Sequence, residues 1–561
     1  MHAISLLILL LGAVSALGSS TKIEYSIKGA NTSYPVSLNG INLLSASMQD
    51  VSFALSNGTV TTLELVDAYV ARQKALDHRG LTLRSVIEIA PTAREIARRL
   101  DEERANGTLR SQLHGVPIVV KDSKEPPPDP YAKLMLEDYN TDPKLGMNTT
   151  AGSYSLLNQT VTGDAFVVSK LREAGLLILG KANLDEFAGM MGKDNSSGFS
   201  ARGGQASAAY VVGGFAAGGD PSGSSGGSAI AVSAGFAAAS LGTDTDDSIV
   251  KPACRAALFG LRPSTGLTSR SGVVPLSLSQ DSTGPLAKST WDVAALLSIM
   301  AVHDENDSYS GAAEPFRKKN YTAYLKKDGF KGLRIGVPRY PFFNASITGA
   351  RPEANQAVNK ALAEMQKLGA TVIDPVTFPN AEEFTYAYPG LPERSNNETI
   401  LLQYDLKEDL ATYLQTQLIN STIKSLQDII NYNEAHSDLE FPPGQCCQAT
   451  FLNSNNLPPR ASSAEYWIAQ YHQQRLDVEG MQATMRQHNL DLFVVPTEGY
   501  SARMGAIGRR PVGTVPLGYD GINLPFGLAF VGKSYDEGTV LRAMYAFEKA
   551  FPKRQVPPTL D

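Results

Sequence analysis

Hydrophobic residues recur at two different spacings along this chain. From Met48 to Gly107 they return every three to four residues, which is typical of amphipathic helices. The β-branched run VPIVV at 116–120 instead predicts a short buried strand, and GLRIGVPR at 332–339 predicts another. Further helical patterns, such as 289–301, lie between runs of this kind. Because strands alternate with helices, we expect an α/β protein with parallel strand pairs.

The segment 376–480 lacks this alternation. Helical patterns occupy 401–418 and 425–436, and the Pro-rich turn FPPGQCC follows at 441–447. No run of residues in the segment marks a strand, so we expect it to be helical throughout.

The length of 561 residues exceeds the size at which one hydrophobic core usually stops growing. Two domains, or one large sheet covered by layers of helices, would accommodate it. The net charge of -6, with both signs intermixed, leaves no basic face for nucleic acid and no membrane-binding patch. We therefore expect neither a nucleic-acid partner nor stable membrane insertion.

The N-terminus carries the apolar run ISLLILLLGAV at 4–14, which is too short to cross a bilayer. Ala16-Leu17-Gly18 is a suitable cleavage site, so we interpret 1–18 as a signal peptide and 19–47 as an N-terminal extension. The run has no preceding Lys or Arg, which leaves a signal anchor or a buried helix as the alternative. A secreted, extracellular protein is expected, with the vacuole as a second location.

Glycosylation sequons support export. The chain has N-x-S/T sites at Asn31, Asn57, Asn106, Asn148, Asn158, Asn195, Asn306, Asn320, Asn344, Asn397 and Asn420. N-linked glycans are therefore expected on the mature protein.

The three cysteines, Cys254, Cys446 and Cys447, are too few for a disulfide scaffold and do not have zinc-site spacing. A bridge from Cys254 to one of the other two, or three unpaired buried thiols, remain open as alternatives. No metal and no cofactor are predicted.

Glycine and serine crowd the segment 220–266 beyond what a core element needs. Gly223, Gly226 and Gly227 would let another part of the protein approach the backbone closely. No lysine follows them, so the segment does not match a phosphate-binding loop. GSSGG at 223–227 does match the GxSxG elbow of α/β-hydrolases, and it also resembles a flexible linker.

The elbow interpretation would make Ser225 the nucleophile of an esterase-type hydrolase. It requires an acid and a downstream histidine. The candidates are His303, His436, His472 and His488.

Two more motifs accompany this one: LHGVPIVVKDS at 113–123 and LGTDTDDSIVKPA at 241–253. The three in this order resemble the signature of the amidase signature family, and the pattern is closest to its fungal and peptide-amidase-like members. The likeness extends more loosely from Met48 to Phe551. It implies a single large mixed, mostly parallel β-sheet covered by helices on both faces, within an amidase domain at 48–555.

The resemblance also implies a Ser–cis-Ser–Lys triad. Lys121 matches the general base, Ser224 the central serine with a cis peptide before it, and Ser248 the nucleophile. The backbone N–H groups of Thr245, Asp246, Asp247 and Ser248 match the oxyanion hole, and the backbone near Ala188 matches a wall of the acyl pocket. A lysine just past a buried strand fits the role of a base, because desolvation favours the neutral amine.

This chain departs from the family pattern in front of the nucleophile, where Asp246-Asp247 replaces Gly-Gly and Val250 replaces Arg. Two carboxylates would oppose the charge of an oxyanion unless they point away to partners. A degenerate member that binds without catalysis is therefore an alternative.

The segment 376–480 resembles the helical insertion of peptide-amidase-like members, which we interpret as a cover over the site, with plain scaffold as the alternative. The function that the resemblance implies is hydrolysis of a carboxylic acid amide, small or peptidic, through a serine acyl-enzyme.

Overall fold

The computed structural model describes residues 34–122, 140–192, 195–384 and 397–560. The predicted signal peptide and the sequon at Asn31 lie outside the described residues. The described part of the predicted extension 19–47 forms a hairpin of two short strands, Ser37–Leu38 and Ile41–Asn42. Leu43 and Leu44, which follow the hairpin, are buried.

An eleven-stranded sheet organises the described part of the chain. Its strands in chain order are β1 (Val86–Ile89), β2 (Pro117–Lys121), β3 (Leu177–Ala182), β4 (Ala239–Asp244), β5 (Phe259–Arg262), β6 (Ser282–Ala287), β7 (Arg334–Pro338), β8 (Thr371–Val376), β9 (Leu492–Pro496), β10 (Val512–Tyr519) and β11 (Pro525–Gly532). Across the sheet they lie in the order β8-β7-β9-β11-β10-β5-β6-β4-β2-β3-β1. The predicted strands at 116–120 and 332–339 are confirmed as β2 and β7.

The pairing within this sheet is mixed. β8 with β7, β7 with β9, β4 with β2 and β2 with β3 are parallel. The other six neighbouring pairs are antiparallel. The α/β class and the single mixed sheet are confirmed, but the sheet is less parallel than predicted. Five of the six antiparallel pairs fill its centre, and the sixth, β3 with β1, lies at one edge. Antiparallel neighbours need no crossover helix between them.

Helices connect the strands and cover them. They are α1 (Met48–Ser56), α2 (Thr62–Leu76), α3 (Ala93–Ala105), α4 (Phe166–Glu173), α5 (Gly226–Ser233), α6 (Val250–Arg255), α7 (Thr290–Met300), α8 (Ser310–Ala313), α9 (Ala345–Thr348), α10 (Pro352–Lys367), α11 (Asn397–Thr416), α12 (Leu426–Ala435), α13 (Ser437–Glu440), α14 (Ala449–Asn455), α15 (Ala464–Arg475), α16 (Ala483–His488), α17 (Ser501–Gly508) and α18 (Glu537–Ala550). A π-helical turn, Leu476–Gln482, joins α15 to α16. At the start of α2 the capping hydroxyl belongs to Thr61, which accepts from the Glu64 N–H.

Successive side chains of β9 point to opposite faces of the sheet. Leu492 and Val494 pack in a core with residues of α7 and α18, whereas Phe493 and Val495 pack in a second core with residues of α17. Helices therefore cover both faces, as predicted.

The described part of 376–480 is helical from α11 to α15, apart from a two-residue strand, Leu418–Ile419, which pairs with Thr160–Val161. Leu406, Leu410 and Phe451 of this segment share one apolar cluster with Phe187 and Met191. The segment thus packs against the loop that follows β3.

The cysteines pair differently from either prediction. Cys446 and Cys447 form a disulfide with each other at the surface, and Cys254 is a buried free thiol. Cys254 lies in α6 and packs against Ala354 and Phe526. This apolar setting holds it away from the surface turn that carries the other two, so the expected bridge and the three buried thiols are both wrong.

None of the helices in the described part of the chain is long and apolar enough to pass through a bilayer. No group of three or more His, Cys, Asp or Glu side chains in these ranges is placed to hold a metal ion.

Candidate active site

Lys121 ends β2, between β3 and β4, and its side chain is 0% exposed. The β-branched residues before it keep the strand buried and deliver the lysine into the interior. Its Nζ lies 2.7 Å from Ser224 Oγ and 2.6 Å from Thr243 Oγ1, in hydrogen-bonding geometry with both hydroxyls. The structure thus brings together the predicted base and the predicted central serine.

Ser224 lies in the glycine-rich segment 223–227, called the serine turn below, which leads into α5. The Gly223–Ser224 peptide is cis, as predicted. The turn packs on the residues that follow β3. The Asp185 N–H donates to the Ser224 carbonyl at 3.1 Å, and the Gly227 N–H donates to the Asn183 carbonyl at 3.0 Å. A Cβ on Gly227 would lie 2.4 Å from both the N and the O of Asn183, which explains the absence of a side chain there.

Ser248 lies in the loop between β4 and α6 and is 8% exposed. Its carbonyl accepts from the Ser225 N–H at 3.1 Å, so the loop is bonded to the residue next to Ser224. The Asp244 carboxylate steadies the other side by accepting from the Ile249 N–H at 2.6 Å. The predicted nucleophile is therefore held beside the serine turn by hydrogen bonds to the backbone of its loop.

The two aspartates that depart from the family pattern each have a cationic partner. Asp247, whose φ of 81° is one that aspartate adopts more readily than most residues, pairs with Lys251 Nζ at 3.0 Å. Asp246 lies 3.6 Å from Arg503, which also contacts Glu398 of α11 at 3.2 Å. Burial, and then the charge of Glu398, raise the pKa of Asp246 well above its usual value.

Thr245 is also anchored. Its Oγ1 donates to Asp281 Oδ1 at 2.5 Å, and Asp281 Oδ2 accepts from the backbone N–H groups of Leu276 and Ser277. Burial raises the pKa of Asp281, and the Thr245 hydrogen bond opposes this rise. The backbone of the predicted oxyanion loop is thus fixed at its first residue.

A cavity opens beside these groups. Ala188, the residue predicted to border the acyl pocket, lines it. The polar residues that line it are Lys121, Thr243, Thr245, Arg270, Asp281, Ser282 and Thr283. The apolar side chains that line it are Phe187, Val273, Val274, Leu276 and Leu406. Leu406 belongs to α11, so the helical segment 376–480 contributes to this wall.

Phe187 and Ala188 have φ of 44° and 54°. Glu186, the residue before this left-handed turn, forms a buried carboxyl pair with Glu440. Glu186 Oε2 accepts from the Ala201 N–H at 2.6 Å, and Glu440 Oε1 accepts from Ser153 Oγ at 2.8 Å. Burial, followed by the charge of Glu440 and a hydrogen bond to it, raises the pKa of Glu186 well above its usual value.

The alternative nucleophile, Ser225, is engaged elsewhere. Its Oγ donates to the Thr243 carbonyl at 3.2 Å. Among the histidines proposed to serve it, His472 contacts Glu383 at 2.7 Å and His436 contacts the Tyr432 carbonyl at 2.9 Å. His303 lies 3.4 Å from Glu314. None of the hydrogen bonds found among the described residues joins Ser225 to an imidazole.

Two residues near the predicted triad were missed by the sequence reasoning. Thr243 lies within the GTDT motif, but only the pairing of β4 with β2 brings it to Lys121. Asp185 lies within the LDEFA stretch, and its contact with the serine turn is set by the fold.

Known proteins are similar to this chain in sequence and in fold. A family model described as Amidase matches residues 140–509. A protein of Arabidopsis thaliana named "Probable amidase" is 33% identical over 555 residues, covering 98% of this chain and 96% of its own. The structure of native peptide amidase from Stenotrophomonas maltophilia has a TM-score of 0.80 at 35% identity, covering 91% of this chain and 98% of its own. An amidase family protein from Bacillus anthracis has a TM-score of 0.78 at 30% identity, covering 92% of each chain. The chain therefore belongs to the amidase signature family and is an amide-hydrolysing enzyme.

Proposed function

We propose that this enzyme cleaves its amide through an acyl-enzyme on Ser248, with Ser224 relaying the proton and Lys121 as the base. The observation that carries the proposal is the hydrogen bond of 2.7 Å between Lys121 Nζ and Ser224 Oγ in a fully buried setting. Burial favours the neutral amine of a lysine over its charged ammonium form, and the neutral amine has the lone pair that a base needs.

In the first step, neutral Lys121 accepts the proton of Ser224 while Ser224 accepts that of Ser248. Ser248 Oγ then forms a bond to the amide carbon, and the carbonyl electrons move onto its oxygen. The N–H groups of the loop from Thr245 to Ser248 are the donors for that oxygen. Removing one such donor in other enzymes costs about 3 to 4 kcal/mol of transition-state stabilisation.

When the tetrahedral intermediate collapses, the C–N bond breaks and the amine takes its proton from Ser224, which is resupplied by Lys121. Water then attacks the ester carbon, and its proton passes through Ser224 to Lys121. When the bond from that carbon to Ser248 Oγ breaks, the relay returns a proton to Ser248 and the acid leaves.

The cationic partners of the two aspartates support catalysis over a binding-only role. Asp247 is paired with Lys251, and Asp246 with Arg503. Lys251 offsets the charge of Asp247. The raised pKa of Asp246, together with nearby Arg503, limits the negative charge at that position, so neither aspartate acts as an isolated anion beside the oxyanion.

For the substrate we propose an amide with an apolar acyl group, because the cavity beside Lys121 is walled by Phe187, Val273 and Leu406. The similarity to a peptide amidase favours peptide amides over other small amides.

We further propose that the enzyme is secreted as a glycoprotein. The sequons with exposed asparagines support this: Asn57, Asn106, Asn158, Asn306, Asn320, Asn344 and Asn420.

The test is ammonia or amine release from a panel of amides by the purified glycosylated protein and its variants. Lys121→Ala and Ser248→Ala should each abolish turnover, whereas Ser225→Ala should retain much of it. The four histidines at 303, 436, 472 and 488, replaced singly by alanine, serve as matched controls and should retain activity.

Two results would contradict the proposal. If Ser225→Ala or one histidine variant is inactive while Ser248→Ala works, the esterase-type assignment is correct. If no amide is cleaved and no fluorophosphonate reacts at Ser248, the protein is the binding-only member.

A further inference from the structure

Asp185 follows β3 and precedes the turn that carries Phe187 and Ala188. It contacts the serine turn with two different groups. Its N–H donates to the Ser224 carbonyl at 3.1 Å. Its carboxylate packs on Gly223, where a Cβ would lie 2.0 Å from Oδ2 and 2.1 Å from Oδ1.

The carboxylate is itself held in place, because Oδ1 accepts from the Gly198 N–H at 2.6 Å. Asp185 therefore contacts both residues of the Gly223–Ser224 peptide, and it leaves no room for a side chain at position 223. A small shift of this residue would move the hydroxyl that bonds to Lys121.

The charges that face Asp185 come from three parts of the chain: Lys121 at the end of β2, Lys251 in α6, and Asp220 in the loop before the serine turn. Burial raises the pKa of Asp185 to about 6, and Lys121 and Lys251 oppose the rise. Deprotonation as the pH rises therefore makes Asp185 an anion. Since the attraction is mutual, an anionic Asp185 favours the ammonium form of Lys121 over the neutral base.

We propose that Asp185 is a positioning residue that holds the Gly223–Ser224 peptide in place and whose negative charge sets the pH at which Lys121 gives up its proton. This inference rests on the proposed function, because it requires Lys121 to act as the base. The residue limits activity at low pH while fixing the geometry that activity needs.

The test is the rate at which a fluorophosphonate modifies the full-length protein between pH 5 and 10. Asp185→Asn removes the charge but keeps an oxygen that can accept from Gly198. We expect the midpoint of the acidic limb to move to lower pH. A shift of about one unit would raise the rate, measured one unit below the wild-type midpoint, about fivefold relative to the plateau.

Asp220→Asn is the matched control, because Asp220 also faces Asp185 but pairs with Arg255 at 3.0 Å. It removes the same charge without touching Gly223, and it should move the midpoint less. If Asp185→Asn does not fold, as judged by its thermal unfolding, Asp185→Ser replaces it, since its hydroxyl can still accept from Gly198.

A midpoint that stays in place or rises in the Asp185 variant overturns the inference. Failure of the proposed function looks different: the wild type would not react at Ser248, or Lys121→Ala would react as fast as the wild type. That result overturns both. A slow Lys121→Ala with an unshifted Asp185→Asn overturns the inference alone.

Discussion

The close packing at the serine turn predicts that the same substitution destabilises the protein at one position and not at the position next to it. Gly226 and Gly227 begin α5, and both have ordinary negative φ. A Cβ on Gly226 would find its nearest neighbour, a side-chain atom of Pro221, at 3.6 Å, which is normal contact. A Cβ on Gly227 would lie 2.4 Å from the backbone of Asn183 and 2.5 Å from the Ser85 carbonyl.

The size of the effect follows from these contacts. Backbone atoms cannot rotate away, so Gly227→Ala must displace α5 by about 1 Å, at about 1–3 kcal/mol for overpacking. The displacement also strains the hydrogen bond from Gly227 to Asn183, worth about 1 kcal/mol. The better helix propensity of alanine returns up to about 1 kcal/mol. We expect a net loss of about 1–3 kcal/mol for Gly227→Ala, and no loss for Gly226→Ala.

Equilibrium unfolding in urea measures both variants, with the midpoints compared at unchanged slope. The same displacement moves Ser224, so Gly227→Ala should also react with a fluorophosphonate about 100-fold more slowly, since misplacement by about 1 Å costs that much. The reasoning is refuted if Gly227→Ala matches the wild type in both measurements, or if Gly226→Ala is equally damaging.

Three further predictions concern the surroundings of the site. The raised pKa of Glu186 stabilises the folded protein at low pH. This contribution is fully present below the pKa of the unfolded state, about 4.3, and is lost as the pH rises through the pKa of the folded state. Glu440→Gln removes one cause of the raised pKa, so its Tm should fall less between pH 5 and 9 than that of the wild type, and equal falls would contradict this. Asp247→Gly should keep kcat/KM within about threefold, because glycine suits the φ of 81° and the carboxylate points to a cation; a loss of about 100-fold would give that carboxylate a direct role. Asn148, 6% exposed and bonded to the Glu88 carboxylate, should carry no glycan although it begins a sequon, whereas exposed Asn57 should; the mass shift of each Asn→Gln variant decides.

Much of the fold can be predicted from the sequence, because the local pattern of hydrophobic residues agrees with where each element is buried. The run at 116–120 is buried on both sides of its strand, so its β-branched residues mark β2 directly. The closeness of Lys121 and Ser224 could also be predicted, because each lies in a motif of the family. The strand directions at the centre of the sheet were not readable, since an apolar run looks the same whichever way its neighbour points.

The remaining features depend on contacts between distant parts of the chain. Asp185 reaches Gly223 only after β3 and the serine turn have packed together, and a lone aspartate gives no signal of that in a sequence. The sequence likewise makes Cys254 a candidate partner for Cys446, whereas the fold places it in an apolar cluster. From the sequence alone, Asp246 is expected to oppose catalysis. Its cationic neighbour, Arg503, lies more than two hundred residues away along the chain, so the sequence does not reveal it.

The most direct test of the account is to find which residue becomes acylated. The protein is reacted with a fluorophosphonate, digested, and the modified peptide sequenced by mass spectrometry. We expect the adduct on Ser248 in the wild type, and none on a Lys121→Ala variant under the same conditions. An adduct on Ser225 or Ser224, or unchanged labelling without Lys121, would contradict the proposed relay.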